Sequence, residues 1–272
     1  MKNFMLCADD YGMTKGVSKA ILNLADKQRL SAVGCMTNFA KWPDHAREIA
    51  PLSTKIDIGI HLNLTLGNPL EAGSAPFLKA GALVLRAVLG QLDASSVERE
   101  IHAQCAAFEN AMQCQPDFID GHQHVHALPI IRTALMRVVQ QRYGVNKPWL
   151  RDPCDTILSI FSRGVATQKA LTVNALALGF GRLAGASGIK TNQSFSGFSA
   201  FNPTRNFSAD FERFLVGMGQ KHLIMCHPGF IDDELRGLDP VVETRVQEYD
   251  FLMSERFDDV CSKQQVTLTR FG

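Results

Sequence analysis

Residues 55–65 carry the sharpest pattern in the chain. Ile56, Ile58, Ile60, Leu62 and Leu64 alternate with Asp57, Gly59, His61, Asn63 and Thr65. A period of two puts the first set on one face of a strand and the second set on the other. The aliphatic face calls for a covering layer of helices, and the opposite face presents potential ligands. Further apolar runs predict strands at residues 2–8, 31–39, 118–125, 149–151, 222–226 and 266–270, and a strand with a loop at 188–197. Patterns of period 3.6 predict helices between them. Val17, Ile21, Leu24 and Ala25 define a helix over 16–27 with Thr14 as its N-cap, and Pro43 opens a short one. Residues 95–112 carry the stripe Val97, Ile101, Cys105, Phe108 and Met112, with Ser95 and Glu98 as a capping box. The next helix starts at Pro129, with Ile131, Leu135, Val138 and Val139 on its apolar face, and stops at Gly144. Residues 157–184 read as mostly helical, and further helices are expected at 209–218 and 243–257. Residues 67–90 have Gly, Pro and little periodicity, which predicts a loop over the site.

Strand and helix thus alternate about seven times, so the expected architecture is α/β, a mostly parallel sheet that is closed or nearly closed. No linker, low-complexity tract or internal repeat interrupts residues 1–272, which read as one domain. Asp9, Asp10, Asn38, His61, His122, Arg151 and His227 all fall at the carboxyl end of an expected strand. Parallel α/β sheets build their sites at that end.

Composition narrows the picture. Net charge is +1 with no basic cluster, so nothing tracks phosphates and nucleic acid is not an expected partner. The 7 cysteines are scattered without a Cys-x-x-Cys, as in a reduced, cytoplasmic protein. The first residues run straight into Asp9 and are too short for a signal-peptide apolar region. Residues 170–184 are apolar but include Thr172, Asn174, Gly179, Gly181 and Arg182, and are too short to span a membrane. They read as a buried or partly amphipathic helix.

Two adjacent carboxylates and histidines from two other strands are the material of a divalent-metal hydrolase. One of Asp9 and Asp10 can ligate an ion while the other moves protons. His61 and His122 can add two neutral imidazoles and leave positions for water and substrate. A divalent ion acidifies water, and a free carboxylate nearby can take the proton. His227 is a candidate to protonate a leaving group. The implied reaction is metal-assisted hydrolysis of an amide or ester.

Ala8-Asp9-Asp10-Tyr11-Gly12, Gly59-Ile60-His61-Leu62-Asn63-Leu64-Thr65, Asp120-Gly121-His122-Gln123-His124-Val125-His126 and His227-Pro228-Gly229-Phe230 resemble, in order, the motifs of the YdjC-like carbohydrate deacetylases, which include the chitooligosaccharide deacetylases. The resemblance covers almost the whole chain. It implies a distorted (β/α) barrel, TIM-like with about seven parallel strands, that hydrolyses the N-acetyl group of an N-acetylhexosamine. It also implies Asp10, His61 and His122 as metal ligands, Asp9 as general base and His227 as acid. Arg151 would orient Asp9 or bind the oxyanion. Tyr11 stands where the family more often has Phe, and Cys7 where it more often has Asn. Neither is a proposed ligand.

On a continuous strand His122, His124 and His126 would share a face, about 6.5–7 Å apart at the backbone, too far to hold one ion together. Among them the resemblance implies His122 as the ligand, and His124 and His126 are left to supporting, substrate-contact or packing roles. His45, His102 and His222 are assigned to surface or packing, and Glu98, Glu100 and Glu109 to a solvated helix face. The expected cofactor is Mg²⁺ or Zn²⁺. The expected substrate is a chitooligosaccharide-like molecule or a lipid-linked amino sugar, and the candidate assembly is a homodimer. The alternatives are a non-catalytic carbohydrate-binding barrel and a metal hydrolase of another bond. A phosphoesterase is weakened by the lack of further carboxylates for a second ion.

Overall fold

The expected alternation is realised as a wholly parallel sheet. The computed structural model describes residues 2–272. In chain order the elements are β1 (Lys2–Tyr11), α1 (Lys15–Asp26), β2 (Ala32–Cys35), α2 (Trp42–Ile49), β3 (Asp57–Leu62), α3 (Ala80–Val88), α4 (Ala94–Met112), β4 (Phe118–Gly121), α5 (Ile131–Tyr143), β5 (Trp149–Leu150), α6 (Ile157–Arg163), α7 (Thr167–Leu176), α8 (Phe180–Ala186), β6 (Ser194–Ser196), α9 (Phe207–Phe214), β7 (His222–Cys226), α10 (Asp233–Leu238), α11 (Glu243–Met253), α12 (Glu255–Lys263) and β8 (Val266–Leu268).

Neighbouring strands run β5-β4-β3-β2-β1-β7-β6, and β8 adds to the start of β1. A parallel bridge between Leu150 and Thr191 ties the β5 edge to the segment entering β6, with Leu150 N–H donating to Lys190 O at 2.9 Å. The sheet therefore curls round to meet itself, and the fold is a distorted (β/α) barrel.

Alternation along the strands sorts the apolar residues into two clusters. Phe4, Leu6 and Ala8 of β1 join Ile224 and Cys226 of β7 in the large cluster against the helices. Met5 and Cys7 join Leu223, Met225, Phe118 and Trp149 in a smaller cluster on the other face. There Trp149 is stacked between Phe118 and Phe271, with ring centroids 4.5 and 4.6 Å away. This aromatic plug fills the barrel beneath the site, as side-chain layers fill other βα barrels.

Several expected boundaries change. The strand expected over 118–125 ends at Gly121, and residues 122–127 form a tight helical turn instead. Residues 67–90 are not all loop, because α3 occupies their last third. The N-cap of α4 is Asp93, whose carboxylate accepts from Ser95 N–H, so Ser95 is not the cap. Residues 157–184 break into three helices at Gly164 and Gly179, both left-handed, and 243–257 breaks at Ser254. The helix expected over 209–218 begins at Phe207, capped by Asn206. Glu100 is buried rather than solvated, and accepts N–H bonds from Leu70 at 3.0 Å and Glu71 at 2.9 Å. It pins the 67–79 loop to α4. Among the described residues no helix is long and apolar enough to cross a membrane.

Candidate active site

The end of β1 explains how two adjacent carboxylates reach one cavity. Simple alternation would send Asp9 inward with Met5 and Cys7, and Asp10 outward. Asp10 instead has φ +71°, and the β1–β2 register slips there: Ala8 to Tyr11 on β1 opposes Val33 to Cys35 on β2. The extra residue is a bulge, which re-aims a side chain. Asp9 and Asp10 are both buried and both line the same cavity.

His61 arrives on β3 as its alternation predicts. β3 can approach β4 closely because residue 59 is Gly, where a Cβ would stand 2.4 Å from Phe118. His61 Nδ1 lies 2.6 Å from Asp120 Oδ1, and its Nε2 is 3.4 Å from Asp10 Oδ1. His122 Nδ1 reaches the same Asp10 oxygen at 2.9 Å. The other oxygen of Asp10 accepts from Arg245 at 2.7 Å.

One ligand atom each from Asp10, His61 and His122 falls within a 4.8 Å set, two imidazoles and one carboxylate that fit a divalent ion. Asp120 would fix the His61 tautomer that leaves Nε2 free for such an ion, as carboxylates behind metal-bound imidazoles do. Burial by itself would lower the His61 pKa, but Asp120, Asp9 and its hydrogen bonds to Asp10 and Asp120 push it up to about 10 without metal. A proton then sits where a cation belongs. Cys7, Asp9 and Asp120 make a second set of the same compactness. Arg151 already fills it, donating to both Asp9 oxygens at 2.8 and 2.5 Å, to Cys7 Sγ at 3.1 Å, and pairing with Asp120. That set does not fit an ion.

Arg151 is fully buried and does not line the cavity. Its position allows it to orient Asp9 and does not offer it to an oxyanion. Burial would raise the Asp9 carboxyl, but Arg151 outweighs it and holds the group well below the usual carboxylate range. His227 does line the cavity, with Nε2 3.8 Å from Asp9 Oδ2. Its backbone N–H donates to the buried Glu248 at 2.5 Å. Burial lowers the His227 pKa to about 4, so its ring is neutral and able to accept a proton. The cavity measures about 290 Å³, and Lys169, Phe201 and Val241 are among its walls.

The three histidines of 122–126 do not share a face. Gln123 and His124 both take left-handed backbone, at φ +53° and +59°. His122 turns to Asp10 and His124 to the cavity. His126 turns inward, where Nε2 donates to Arg151 O at 2.8 Å and the ring packs edge-on to Phe180. His45 and His222 are buried packing residues, and His102 is on the surface against Gln141.

Three participants escape the sequence patterns. Asp120 lies within a quoted motif but has no signal of its own. Arg245 and Glu248 sit on α11, far along the chain, where a charged helical residue ordinarily reads as solvated. An acid two positions before a strand-end His was the single available hint, for Asp120.

The YdjC-like protein family matches residues 3–263 of the chain. The chain belongs to the YdjC-like family. This YdjC-like chain is 27% identical over 239 residues to a chitooligosaccharide deacetylase of Yersinia enterocolitica, covering 85% of the chain and 83% of that protein. It is 26% identical over 271 residues to a carbohydrate deacetylase of Listeria welshimeri, covering 97% and 96%. Its fold is similar to that of a solved protein from Enterococcus faecalis V583, described as a cellobiose-phosphate cleavage protein. The TM-score is 0.75 at 18% identity, over 99% of this chain and 97% of that one.

Proposed function

We propose that the chain is a metal-dependent carbohydrate deacetylase that hydrolyses the N-acetyl group of an N-acetylhexosamine to free amine and acetate. The observation that carries this reading is the division of labour at the end of β1. Asp10 converges with His61 and His122, while Asp9 is withheld from them by Arg151. The YdjC-like relatives named as deacetylases supply the bond and the substrate class. A divalent ion held by Asp10, His61 and His122 supplies a Lewis acid for the acyl oxygen and acidifies water.

The chain's own residues do the rest. Asp9 stays ionised on the Arg151 fork and takes the proton of the attacking water. His227, with Nε2 3.8 Å from Asp9 Oδ2 and neutral at rest, takes up the proton that Asp9 removed from water and delivers it to the leaving nitrogen. Arg245 keeps Asp10 from rotating away. The test is acetate release from a panel of N-acetylated sugars with metal content measured in parallel. Wild type releases acetate, and His61→Ala and His122→Ala lose both metal and turnover. Equal activity in all three refutes the mechanism.

A specific observation favours a substrate on an apolar carrier. α7 lines the cavity through Lys169 and Val173, and around it Ile157, Leu158, Phe161 and Leu178 are 52–78% exposed. Faster acetate release from a lipid-linked amino sugar than from a soluble oligosaccharide, lost when Leu158 and Phe161 become Glu, supports it. No difference removes it.

A further inference from the structure

A buried polar atom without a partner costs about 1–3 kcal/mol, so each one in a native fold asks for a reason. His124 is such a case. It is 9% exposed, and among the described residues no hydrogen bond reaches either ring nitrogen. Its ring lies edge-on to Phe195 at 5.8 Å and tilted against Phe198 at 5.4 Å. A phenylalanine would satisfy those neighbours without the penalty.

The backbone adds a second cost. Two consecutive non-glycine residues, Gln123 and His124, hold left-handed φ values. Such conformations persist where the surroundings impose them, and they cluster at ligand sites. The turn has a definite result: it places both side chains in the wall of the cavity that holds Asp9, Asp10 and His227. His126, two residues on, shows the contrary case. It faces away from the cavity, and one of its nitrogens is bonded to Arg151 O. His126 leaves Nδ1 unpartnered but is anchored through its other nitrogen, whereas His124, which lines the cavity, is anchored through neither.

We propose that His124 contacts the substrate, giving or taking a hydrogen bond with an uncharged polar group of the sugar, a hydroxyl or the acetamido group itself. The proposal rests on the deacetylase reading for the identity of that sugar. The contact supplies the hydrogen bond that the protein leaves unmade, so the cost of the buried nitrogen is recovered only in the complex. The same site then rejects an analogue lacking that polar group, because binding it leaves the imidazole unsatisfied.

The experiment compares His124→Phe and His124→Gln with wild type, using N,N′-diacetylchitobiose. His124→Phe keeps the aromatic packing and removes the hydrogen bond. Its thermal midpoint should equal or exceed that of wild type, while kcat/KM for acetate release falls at least tenfold. His124→Gln should recover part of the loss, since an amide can donate and accept. Wild-type kcat/KM in a folded His124→Phe overturns the proposal. If that variant fails to fold, His124→Leu replaces it, and wild-type kcat/KM with unchanged binding of the sugar in His124→Leu overturns the proposal. The thermal shift induced by the same sugar is recorded without turnover. A shift present in wild type and absent in His124→Phe supports the contact even where wild type releases no acetate, a result that would sink the deacetylase reading alone. An equal shift in both proteins sinks the contact.

Discussion

Two arginines hold the two neighbouring carboxylates, each by the same device. Arg151 bridges Asp9 to Asp120, and Arg245 bridges Asp10 to Asp239. The surroundings differ. Arg151 and Asp120 are fully buried, and Asp120 also binds His61. Arg245 reaches the cavity wall, and the Asp239 side chain is 15% exposed on the connection between α10 and α11. Arg151 consumes both oxygens of Asp9, so no ion can enter there. Arg245 takes one oxygen of Asp10 and leaves the other between His61 and His122. On the proposed reading, the number of oxygens each arginine occupies separates the base, Asp9, from the ligand, Asp10.

The strongest test of that difference removes each carboxylate. Asp10→Ala should lose bound metal and about 10³-fold or more of activity, because the ion contributes several kcal/mol to the barrier. Asp9→Asn should keep its metal and lose about 10²–10⁴-fold, the range of a positioned general base. Metal analysis beside acetate release distinguishes the two. A metal-free Asp9→Asn reverses the assignment.

Removing an arginine is next in size. Arg151→Gln strands two buried carboxylates and should cost about 3–5 kcal/mol of stability at neutral pH. The pH sign follows from Asp9. In wild type its carboxyl is held below the unfolded value, so its contribution is present above about pH 3.9 and is lost on acidification. In the variant burial, the largest influence, loses its main opponent and raises the carboxyl against the remaining pull of His61 and His227, which favours the fold at low pH. The deficit should therefore shrink from pH 7 toward pH 4, read by urea unfolding with chelator present. A deficit that grows on acidification contradicts the role given to Arg151.

Metal binding has its own pH dependence. His61 is pushed up to about 10 without metal, so an ion arriving at neutral pH must displace its proton. Affinity should rise about tenfold per pH unit between 6.5 and 8, with about one proton released per ion. Titration calorimetry in two buffers of different ionisation enthalpy counts that proton. No release removes His61 from the ligand set.

The barrel and most of this site were legible because period and strand-end position are local properties. β3 announced its inward face residue by residue, and β7 ran from His222 to Cys226 as the apolar run predicts. The turn at 122–127 was not legible. Left-handed Gln123 and His124 carry no glycine to mark them, and His-x-His-x-His has the period of a strand. The bulge at Asp10 escaped for the same reason. Asp120 and Arg245 were missed because their role is to hold other side chains, and such partners come from distant segments. Glu100 was misread because only the fold brings residues 70 and 71 over it.

The smallest expected effect concerns the two supporting acids. Asp239→Asn keeps an oxygen that can accept from Arg245, so geometry changes little, but one negative charge is gone. Arg245 is then balanced by Asp10 alone and draws more of its electron density, which makes Asp10 a poorer ligand. Partial exposure lets water soften the change. Metal affinity should fall only a few-fold, at the low end of the roughly 10–100-fold range for groups behind metal ligands. Asp120→Asn should reach the top of that range or beyond, because Asp120 is buried and supports His61 as well as Arg151. The ratio of the two metal dissociation constants measures the asymmetry between the two bridges. A ratio near one would mean that burial and the His61 bond add nothing, and that the two arginine bridges are equivalent supports.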